Sequence, residues 1–357
     1  MGLPKRDNDA ILQALALVAP GTPLRDGLDR IVRAKMGALL VLSDEPAALE
    51  LCSGGFSIDA PFSPQRLSEL AKMDGAIIIS GDCSRIALAN VHLVPDSSVA
   101  TVETGTRHRT AERVARSLLA PVISVSEEMS VINVYSGDRK HQLQEVGRLL
   151  DRANQALQTL ERYKVRLDDA MDDLTALEVE DVVTVRDVAL VVQRGEMVLR
   201  IAKELETMIV ELGVDARLLR LQLDELHGEI DHELDLVIED YLEHGISVQQ
   251  VHRVMAALVD DEVLDIRRSA SALGIDASTD DLEMSRTSCG LRLLARVPRL
   301  PVEVARAVAT SFGGLARLQR ATVADLLEVP GVSSRQASEI KETLARVVEA
   351  SIMEQYN

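Results

Sequence analysis

One stretch in the first third of the chain, TGTRHRTAER at residues 104–113, is the most informative about the architecture. Apolar residues at helical spacing follow it: Val114, Ala115, Leu118 and Leu119. The stretch is therefore predicted to be a loop that runs into an amphipathic helix, with hydroxyls, arginines and a histidine around the helix start. Helix N-termini bind anions, and guanidinium groups match phosphate oxygens in pairs. We predict a triphosphate site rather than a solvated helix start, because cations at this end oppose the helix dipole unless an anion intervenes.

A second stretch, Asp74-Gly75-Ala76, stands just before the apolar run at residues 77–79. A carboxylate at the mouth of a strand, followed by a glycine that allows a ligand close to the backbone, indicates a cation or hydroxyl site. The alternative is an Asp-Gly turn that only feeds the strand, since this pair is common in turns. The chain has neither the P-loop pattern nor the glycine pattern of dinucleotide-binding domains.

Around these stretches, β-rich and helical runs alternate. Strands are predicted at residues 38–42, 76–80, 86–90, 121–125 and 131–135, and helices at residues 9–18, 23–34, 64–72 and 108–119. This alternation predicts an α/β domain with a mixed sheet, which we assign to residues 1–141.

The middle of the chain reads as an all-helical spine over residues 142–285. From Leu143 to Leu174 apolar residues recur every three or four positions, and further helices are predicted at 182–212 and 217–243. The pattern indicates a coiled-coil-like seam, and whether it packs within one chain or between chains is open at this stage. Residues 145–284 carry 14 basic and 33 acidic side chains, which we interpret as a solvated face.

The last segment, residues 286–357, is predicted to be a helix-hairpin-helix domain. The stretch VPGVSSRQ at residues 329–336 combines a Pro-Gly hairpin with a capping box formed by Ser333 and Gln336. Such a hairpin offers backbone N–H groups to a DNA phosphate at a helix N-terminus. A degenerate first copy, VPRLP at residues 297–301, has Arg299 in place of a glycine and Pro301 without an N–H donor, so phosphate contact there is in doubt.

Charge and composition favour contact with the DNA backbone. Residues 285–357 carry 10 basic and 7 acidic side chains, whereas the whole chain has a formal net charge of -18. Aromatic residues make up 2%, too few for base stacking. The predicted DNA-binding residues are Arg299, Pro330, Gly331, Val332, Ser333, Ser334, Arg335 and Lys341. The alternative is a helical hairpin that serves packing alone.

Cysteine content and hydropathy predict the compartment in which the protein works. The three cysteines are far apart and odd in number, which fits neither a disulfide framework nor a zinc site and favours a reducing cytosol. No apolar run approaches the about 20 residues of a membrane helix, so we expect no membrane partner.

Asp74-Gly75-Ala76 together with Arg107-His108-Arg109 resembles the paired signature of the diadenylate cyclase family. The flanks, GALLVL at residues 37–42, ANVHLVP at 89–95 and the stretch from Gly105 to Val114, are similar to the DNA-integrity-scanning (DisA) branch of that family. The resemblance extends along essentially the whole chain. It implies a multidomain α/β plus all-α protein: a mixed-sheet nucleotide-binding domain, a helical spine and a helix-hairpin-helix domain.

The resemblance also implies an activity and the residues that carry it. The activity is condensation of two ATP into cyclic di-AMP with release of two pyrophosphates, with Mg²⁺ or Mn²⁺ as cofactor. Asp74 would bind the metal and help deprotonate the ribose 3′-hydroxyl, as one of four catalytic residues with Arg107, His108 and Arg109. The implied nucleotide-binding residues are Gly37, Ala38, Leu39, Asp74, Gly75, Ala76, Leu93, Thr106, Arg107, His108, Arg109, Thr110 and Ser126.

A two-fold symmetric product is most simply made by two protomers that each present one ATP, so an isologous dimer is the minimum. The resemblance implies a homo-octamer, a cytoplasmic and nucleoid-associated location, and a RecA-like DNA-repair ATPase as a candidate partner. It further implies that branched DNA, such as a Holliday junction, lowers cyclase activity. A competing hypothesis is a non-catalytic DNA-repair scaffold whose first domain only senses ATP or a cyclic dinucleotide.

Overall fold

A mixed sheet of eight strands occupies the first part of the chain. The computed structural model describes residues 5–228, 230–243, 245–275 and 281–355. The strands are β1 Ala38–Leu42, β2 Cys52–Ser53, β3 Phe56–Pro61, β4 Ala76–Ile79, β5 Arg85–Leu93, β6 Val122–Val125, β7 Ile132–Ser136 and β8 Arg139–Gln142. Their order is β2-β5-β4-β1-β6-β7-β8, with β3 also paired to β5. Strands β1 and β4 are parallel and the other pairs antiparallel, which confirms the predicted mixed sheet.

Helices cover both faces of this sheet. They are α1 Lys5–Leu17, α2 Pro23–Arg33, α3 Pro46–Glu50, α4 Pro64–Leu70 and α5 Thr106–Leu118. All five residues of β1 are buried, and they alternate between two apolar clusters. Leu40 and Leu42 pack with α1, α2 and α4, whereas Leu39 and Val41 pack with α5. The continuous apolar run of β1 therefore follows from burial on both faces.

Three strands were not predicted, because β2 has only two residues, β8 (RKHQ) has no apolar residue, and β3 (FSIDAP) alternates apolar and polar residues but is mostly exposed. They pair with β5 or β7, whose own residues are largely buried. Tertiary pairing, which a local pattern does not contain, sets their conformation.

Two long helices follow the sheet, α6 Val146–Glu180 and α7 Val185–Leu212. Seven of the ten predicted seam residues are buried within a single chain, and the other three, Val146, Leu150 and Lys164, are half-buried. Most of the seam therefore packs within the chain. Shorter helices continue as α8 Arg217–His227, α9 Ile230–Tyr241, α10 Val248–Ala257, α11 Asp260–Val263 and α12 Ile266–Ala272. The single helix predicted over 217–243 is wrong, since α8 ends before Gly228, a residue that disfavours helix.

The last five helices are α13 Leu291–Ala295, α14 Val302–Phe312, α15 Leu315–Arg320, α16 Val323–Leu327 and α17 Ser334–Gln355. They share one apolar cluster that includes Leu294, Val308, Leu326 and Ile340. Among the described residues, no helix is both long and apolar enough to cross a membrane.

Two compact units divide the chain: residues Met1–Ala156 with Glu204–Gln222, and residues Leu157–Lys203 with Leu223–Asn357. The first contains the sheet and the second contains α13 to α17. Helices α6 and α7 contribute residues to both. The three domains predicted from sequence, 1–141, 142–285 and 286–357, stay a prediction.

Candidate active site

A cavity of about 470 Å³ lies in the sheet unit, at the N-terminal end of α5. Ten predicted nucleotide-binding residues line it: Gly37, Ala38, Leu39, Asp74, Gly75, Ala76, Leu93, Thr106, Arg107 and Thr110. Four further lining residues were not predicted: Met73, Val91, His92 and Glu127. All four lie within two residues of a predicted site residue, Glu127 as the neighbour of Ser126, so proximity in sequence could have found them.

The sheet topology explains why segments far apart in sequence meet here. Strands β1 and β4 are parallel neighbours with Leu40 opposite Ile77, so the first residues of both strands lie side by side at the same end of the sheet. Strand β5 is antiparallel to β4, which brings its last residue, Leu93, to the same end of the sheet. The first turn of α5 completes the cavity with Thr106 and Arg107.

Arg107 and Asp74 form the charged pair of the cavity. Nη2 of Arg107 lies 3.2 Å from Oδ1 of Asp74, and the Asp74 side chain is 98% exposed. A Cβ at Gly37 would lie 2.1 Å from Nη1 of Arg107, so this glycine leaves room for the guanidinium group. The arrangement places one carboxylate and one guanidinium at the mouth of an open cavity, which suits a phosphate-bearing ligand.

Gly75 has a packing role that the sequence did not reveal. A Cβ at Gly75 would lie 2.5 Å from the backbone Cα and C atoms of Asn90. Asn90 itself has a left-handed φ of 54°, at a point where the β4–β5 register shifts. The glycine is therefore required by the close approach of two strands.

Three predicted site residues lie outside the cavity lining. Arg109 is exposed on the first turn of α5. The Ser126 hydroxyl accepts a hydrogen bond from the Met129 backbone N–H at 3.3 Å and so stabilises the turn after β6. His108 points into the domain, where its Nδ1 lies 2.8 Å from Ser124 Oγ and 3.1 Å from Tyr135 Oη. Their roles in nucleotide binding stay predictions.

Burial shifts the pKa values of His108 and Tyr135. It lowers the pKa of His108, an effect partly opposed by the Glu103 carboxylate. It also raises the pKa of Tyr135, whose ring is only 1% exposed. At neutral pH the pair is therefore an uncharged imidazole next to an uncharged phenol.

The residues present fit a divalent metal that arrives with a nucleotide. Within the described ranges, no group of three or more His, Cys, Asp or Glu side chains could hold a metal ion. Mg²⁺ usually binds through one or two carboxylates plus substrate phosphates. The exposed carboxylate of Asp74 at the cavity mouth supplies one such ligand.

In the second unit, two turns have the same backbone form. Arg299 adopts a left-handed φ of 59° and Gly331 a φ of 90°. In each turn an N–H reaches back three residues, from Leu300 to the Val297 carbonyl and from Val332 to the Val329 carbonyl. The degenerate first copy therefore keeps the geometry of the Pro-Gly turn despite its arginine.

The capping box predicted at the second turn is confirmed. Oε1 of Gln336 accepts from the Ser333 backbone N–H at 2.9 Å, and Ser333 Oγ accepts from the Gln336 N–H at 3.4 Å. Pro301 occupies the equivalent position before α14. The Ser333 N–H is already bonded to Gln336 within the cap. The N–H that Pro301 lacks therefore corresponds to a capping donor rather than to a donor for phosphate.

Two predicted DNA-binding side chains have partners in the free protein. Lys341 Nζ donates to the Gln319 carbonyl at 2.7 Å, which ties α17 to α15. Arg335 is paired with Glu339 on its own helix at 2.8 Å and is 73% exposed. Arg335 is therefore the more available of the two.

A buried polar network joins α6 to α13 in the second unit. Arg292 Nη2 lies 2.6 Å from Glu178 Oε2, with the two side chains 4% and 0% exposed. Tyr241 Oη donates to the other Glu178 oxygen at 2.8 Å, and the Asp240 carboxylate accepts from the Leu291 and Arg292 backbone N–H groups. Burial raises the pKa of Asp240 to about 7.

The mixed sheet, the cavity at its edge and the α5 start are those of a nucleotide-binding domain of the diadenylate cyclase type. Residues 25–140 match the family model described as DisA bacterial checkpoint controller nucleotide-binding, and residues 143–282 match the DisA bacterial checkpoint controller linker region.

Relatives extend the match to the full length, and the chain belongs to the DisA family. The DNA integrity scanning protein DisA of Kineococcus radiotolerans is 50% identical over 99% of this chain and 100% of its own length. The protein of the same name from Acidothermus cellulolyticus is 49% identical over 98% of this chain and 97% of its own. A crystal structure of DacA from Staphylococcus aureus aligns with 40% of this chain and 91% of its own at 25% identity, with a TM-score of 0.29.

Proposed function

We propose that the protein is a diadenylate cyclase that condenses two ATP into cyclic di-AMP and two pyrophosphates. The observation that carries the proposal is the cavity in which Asp74 and Arg107 meet at 3.2 Å, beside the N–H groups of the α5 start. Membership of the DisA family, with a matched nucleotide-binding domain, supports it.

In the proposed reaction each ribose 3′-oxygen attacks the α-phosphorus of the other ATP in line. The bond from the 3′-oxygen to phosphorus forms, the bond to the pyrophosphate oxygen breaks, and the hydroxyl proton passes to water with the help of Asp74. Asp74 orients that hydroxyl, while Arg107, Thr106 and the α5 backbone hold the departing phosphates. Asp74 and the ATP phosphates would hold Mg²⁺ or Mn²⁺, which would supply neutralisation of the nucleotide charge.

This chemistry requires two cavities to face each other, because each protomer supplies one ATP. The cavity is open, and Asp74 at its mouth is 98% exposed, as a residue that meets a second nucleotide across a protomer interface should be. A face-to-face dimer is therefore the smallest active assembly, within the expected homo-octamer.

The test is steady-state turnover of ATP by wild type and Asp74→Asn, with cyclic di-AMP measured by mass spectrometry. Asp74→Asn should lose at least about a hundredfold in turnover while it still binds ATP. Asp26→Asn, an exposed carboxylate in the first turn of α2, is the matched control and should be unaffected. ATP that binds to the wild type and stays unchanged would favour the nucleotide-sensing scaffold instead.

We further propose that the C-terminal helices form a helix-hairpin-helix domain that binds branched DNA through its backbone, and that binding lowers cyclase activity. The two turns of matching geometry at Arg299 and Gly331 support the proposal, as does the capped start of α17. Binding of a four-way junction by the full chain, measured with wild type and Gly331→Val, tests it. Equal affinity of both proteins for the junction would contradict it, since valine is strained at a φ of 90°.

A further inference from the structure

A series of hydrogen-bonded side chains lies next to the start of α5 and leads from His108 through Tyr135 to the ion pair of Glu103 and Lys140. His108 Nδ1 lies 3.1 Å from Tyr135 Oη, and Tyr135 Oη donates to Glu103 Oε1 at 3.3 Å. Glu103 is ion-paired with Lys140, whose Nζ lies 2.6 Å from the same oxygen and 5.8 Å from the Tyr135 ring centroid. In this ion pair the Glu103 carboxylate can only accept hydrogen bonds.

The direction of the hydrogen bonds follows from this fixed acceptor. The single Tyr135 proton goes to Glu103, so the phenol oxygen can only accept from His108. The Ser124 hydroxyl, fully buried and 2.8 Å from His108 Nδ1, also bonds Tyr135. Against the larger effect of burial it lowers the pKa of that phenol, as a donor to its oxygen does. A bare Nδ1 would then face only oxygen lone pairs in a buried place, whereas a protonated Nδ1 donates to them.

The other side of the imidazole faces the start of α5. A Cβ at Gly105, the residue that caps α5, would lie 3.4 Å from His108 Cδ2, the ring carbon next to Nε2. We infer that Tyr135 and Glu103 are positioning residues that hold His108 as the Nδ1–H tautomer, so that Nε2 presents an acceptor at the α5 start.

The Nδ1–H tautomer changes the role of His108 in catalysis, and this role rests on the proposed cyclase function. A bare Nε2 accepts a hydrogen bond, so it suits a ribose hydroxyl or a water and does not suit phosphate oxygens. The phosphates are then left to Arg107 and to the backbone N–H groups of α5. Tyr135 and Glu103 act through His108 and need not touch the nucleotide.

The tautomer itself can be measured without any activity. Nitrogen NMR of the full chain, with ¹⁵N-labelled histidine at pH 8, separates protonated from bare imidazole nitrogens. The His108 signals are assigned by their loss in His108→Gln, among seven histidines. We expect a protonated Nδ1 and a bare Nε2 in the wild type, and a mixture of tautomers in Tyr135→Phe. A protonated Nε2 in the wild type, or an unchanged spectrum in Tyr135→Phe, would overturn the inference.

Kinetics give a second readout. Tyr135→Phe and Glu103→Gln should each lower kcat by about tenfold to a hundredfold, with KM for ATP within about twofold. The reason is that His108 loses its orientation while the contacts to the ATP phosphates are kept. Tyr163→Phe removes a tyrosine hydroxyl from α6 and should change neither constant. A rise in KM alone would contradict a positioning role. A correct tautomer in a protein without turnover would instead refute the cyclase proposal, so the two failures are distinguishable.

Discussion

Arg107 and Asp74, 33 residues apart in sequence, meet with 3.2 Å between Nη2 and Oδ1 at the edge where β1, β4 and β5 converge. The Asp74 side chain is 98% exposed, whereas Arg107 is only 30% exposed and its guanidinium group lies against Gly37. The pair therefore occupies the place where a nucleotide and its metal would compete with the protein's own ion pair.

Gly37→Ala tests whether Arg107 must sit where it does. The added Cβ would lie 2.1 Å from Nη1, so the guanidinium group must move away from Asp74, while the flexible side chain lets the fold survive. We expect ATP to bind about tenfold more weakly, with an unfolding temperature close to that of the wild type. Equilibrium nucleotide binding is the measurement.

The control for that change is Gly81→Ala, where a Cβ would meet only the Leu42 carbonyl oxygen at 3.9 Å. Gly81→Ala should bind ATP as the wild type does. Full ATP affinity in Gly37→Ala would mean that Arg107 does not hold the phosphates.

Arg292→Ala tests the buried network between α6 and α13. The change leaves the Glu178 carboxylate, which is fully buried, without its cation, so we expect a loss of about 3 to 5 kcal/mol in the free energy of unfolding. Arg306→Ala breaks an ion pair with Glu239 in which the arginine is 54% exposed, and it should cost at most about 1 kcal/mol. Denaturant unfolding measures both, and equal losses would show that the network stabilises nothing.

Asp240 should make the stability of the second unit depend on pH. Its pKa is raised from 3.8 to about 7 in the folded state, so the protonated acid is favoured by folding. The stability it contributes is fully present below about pH 4 and is lost as the pH rises towards 7. Wild type should therefore lose stability relative to Asp240→Asn as the pH rises over this range, by up to a few kcal/mol. A difference in stability between the two proteins that does not vary between pH 4 and pH 7 would contradict the assignment.

Arg299→Ala tests the first hairpin as a contact for the DNA backbone. We expect weaker binding of all DNA sequences alike, and a salt dependence of the binding constant reduced by about one unit of slope. Arg306→Ala, on the neighbouring α14, removes the same charge outside the turn and is the control. Loss of preference for one base sequence, with the salt slope unchanged, would point to base contact instead.

The sequence predicted five of the eight strands because their residues are buried and apolar, as in β1 and β4. Through the resemblance to a family signature it also implied that the Asp74 and Arg107 segments belong to one site, and residues of both segments line one cavity. It missed β8, whose polar residues RKHQ are ordered only by pairing with β7. The resemblance implied that His108 binds the nucleotide, and this stays a prediction. The contacts of His108 with Ser124 and Tyr135 were not predicted, because these two residues lie on strands distant in sequence.

The most direct test of the account is to incubate the purified chain with ATP and Mg²⁺ or Mn²⁺, with and without a four-way DNA junction, and to quantify cyclic di-AMP by mass spectrometry. The account predicts product that requires Asp74 and that falls when the junction is added. Absence of product with either metal, from an oligomeric protein that binds ATP, would contradict it and leave a nucleotide-sensing DNA scaffold.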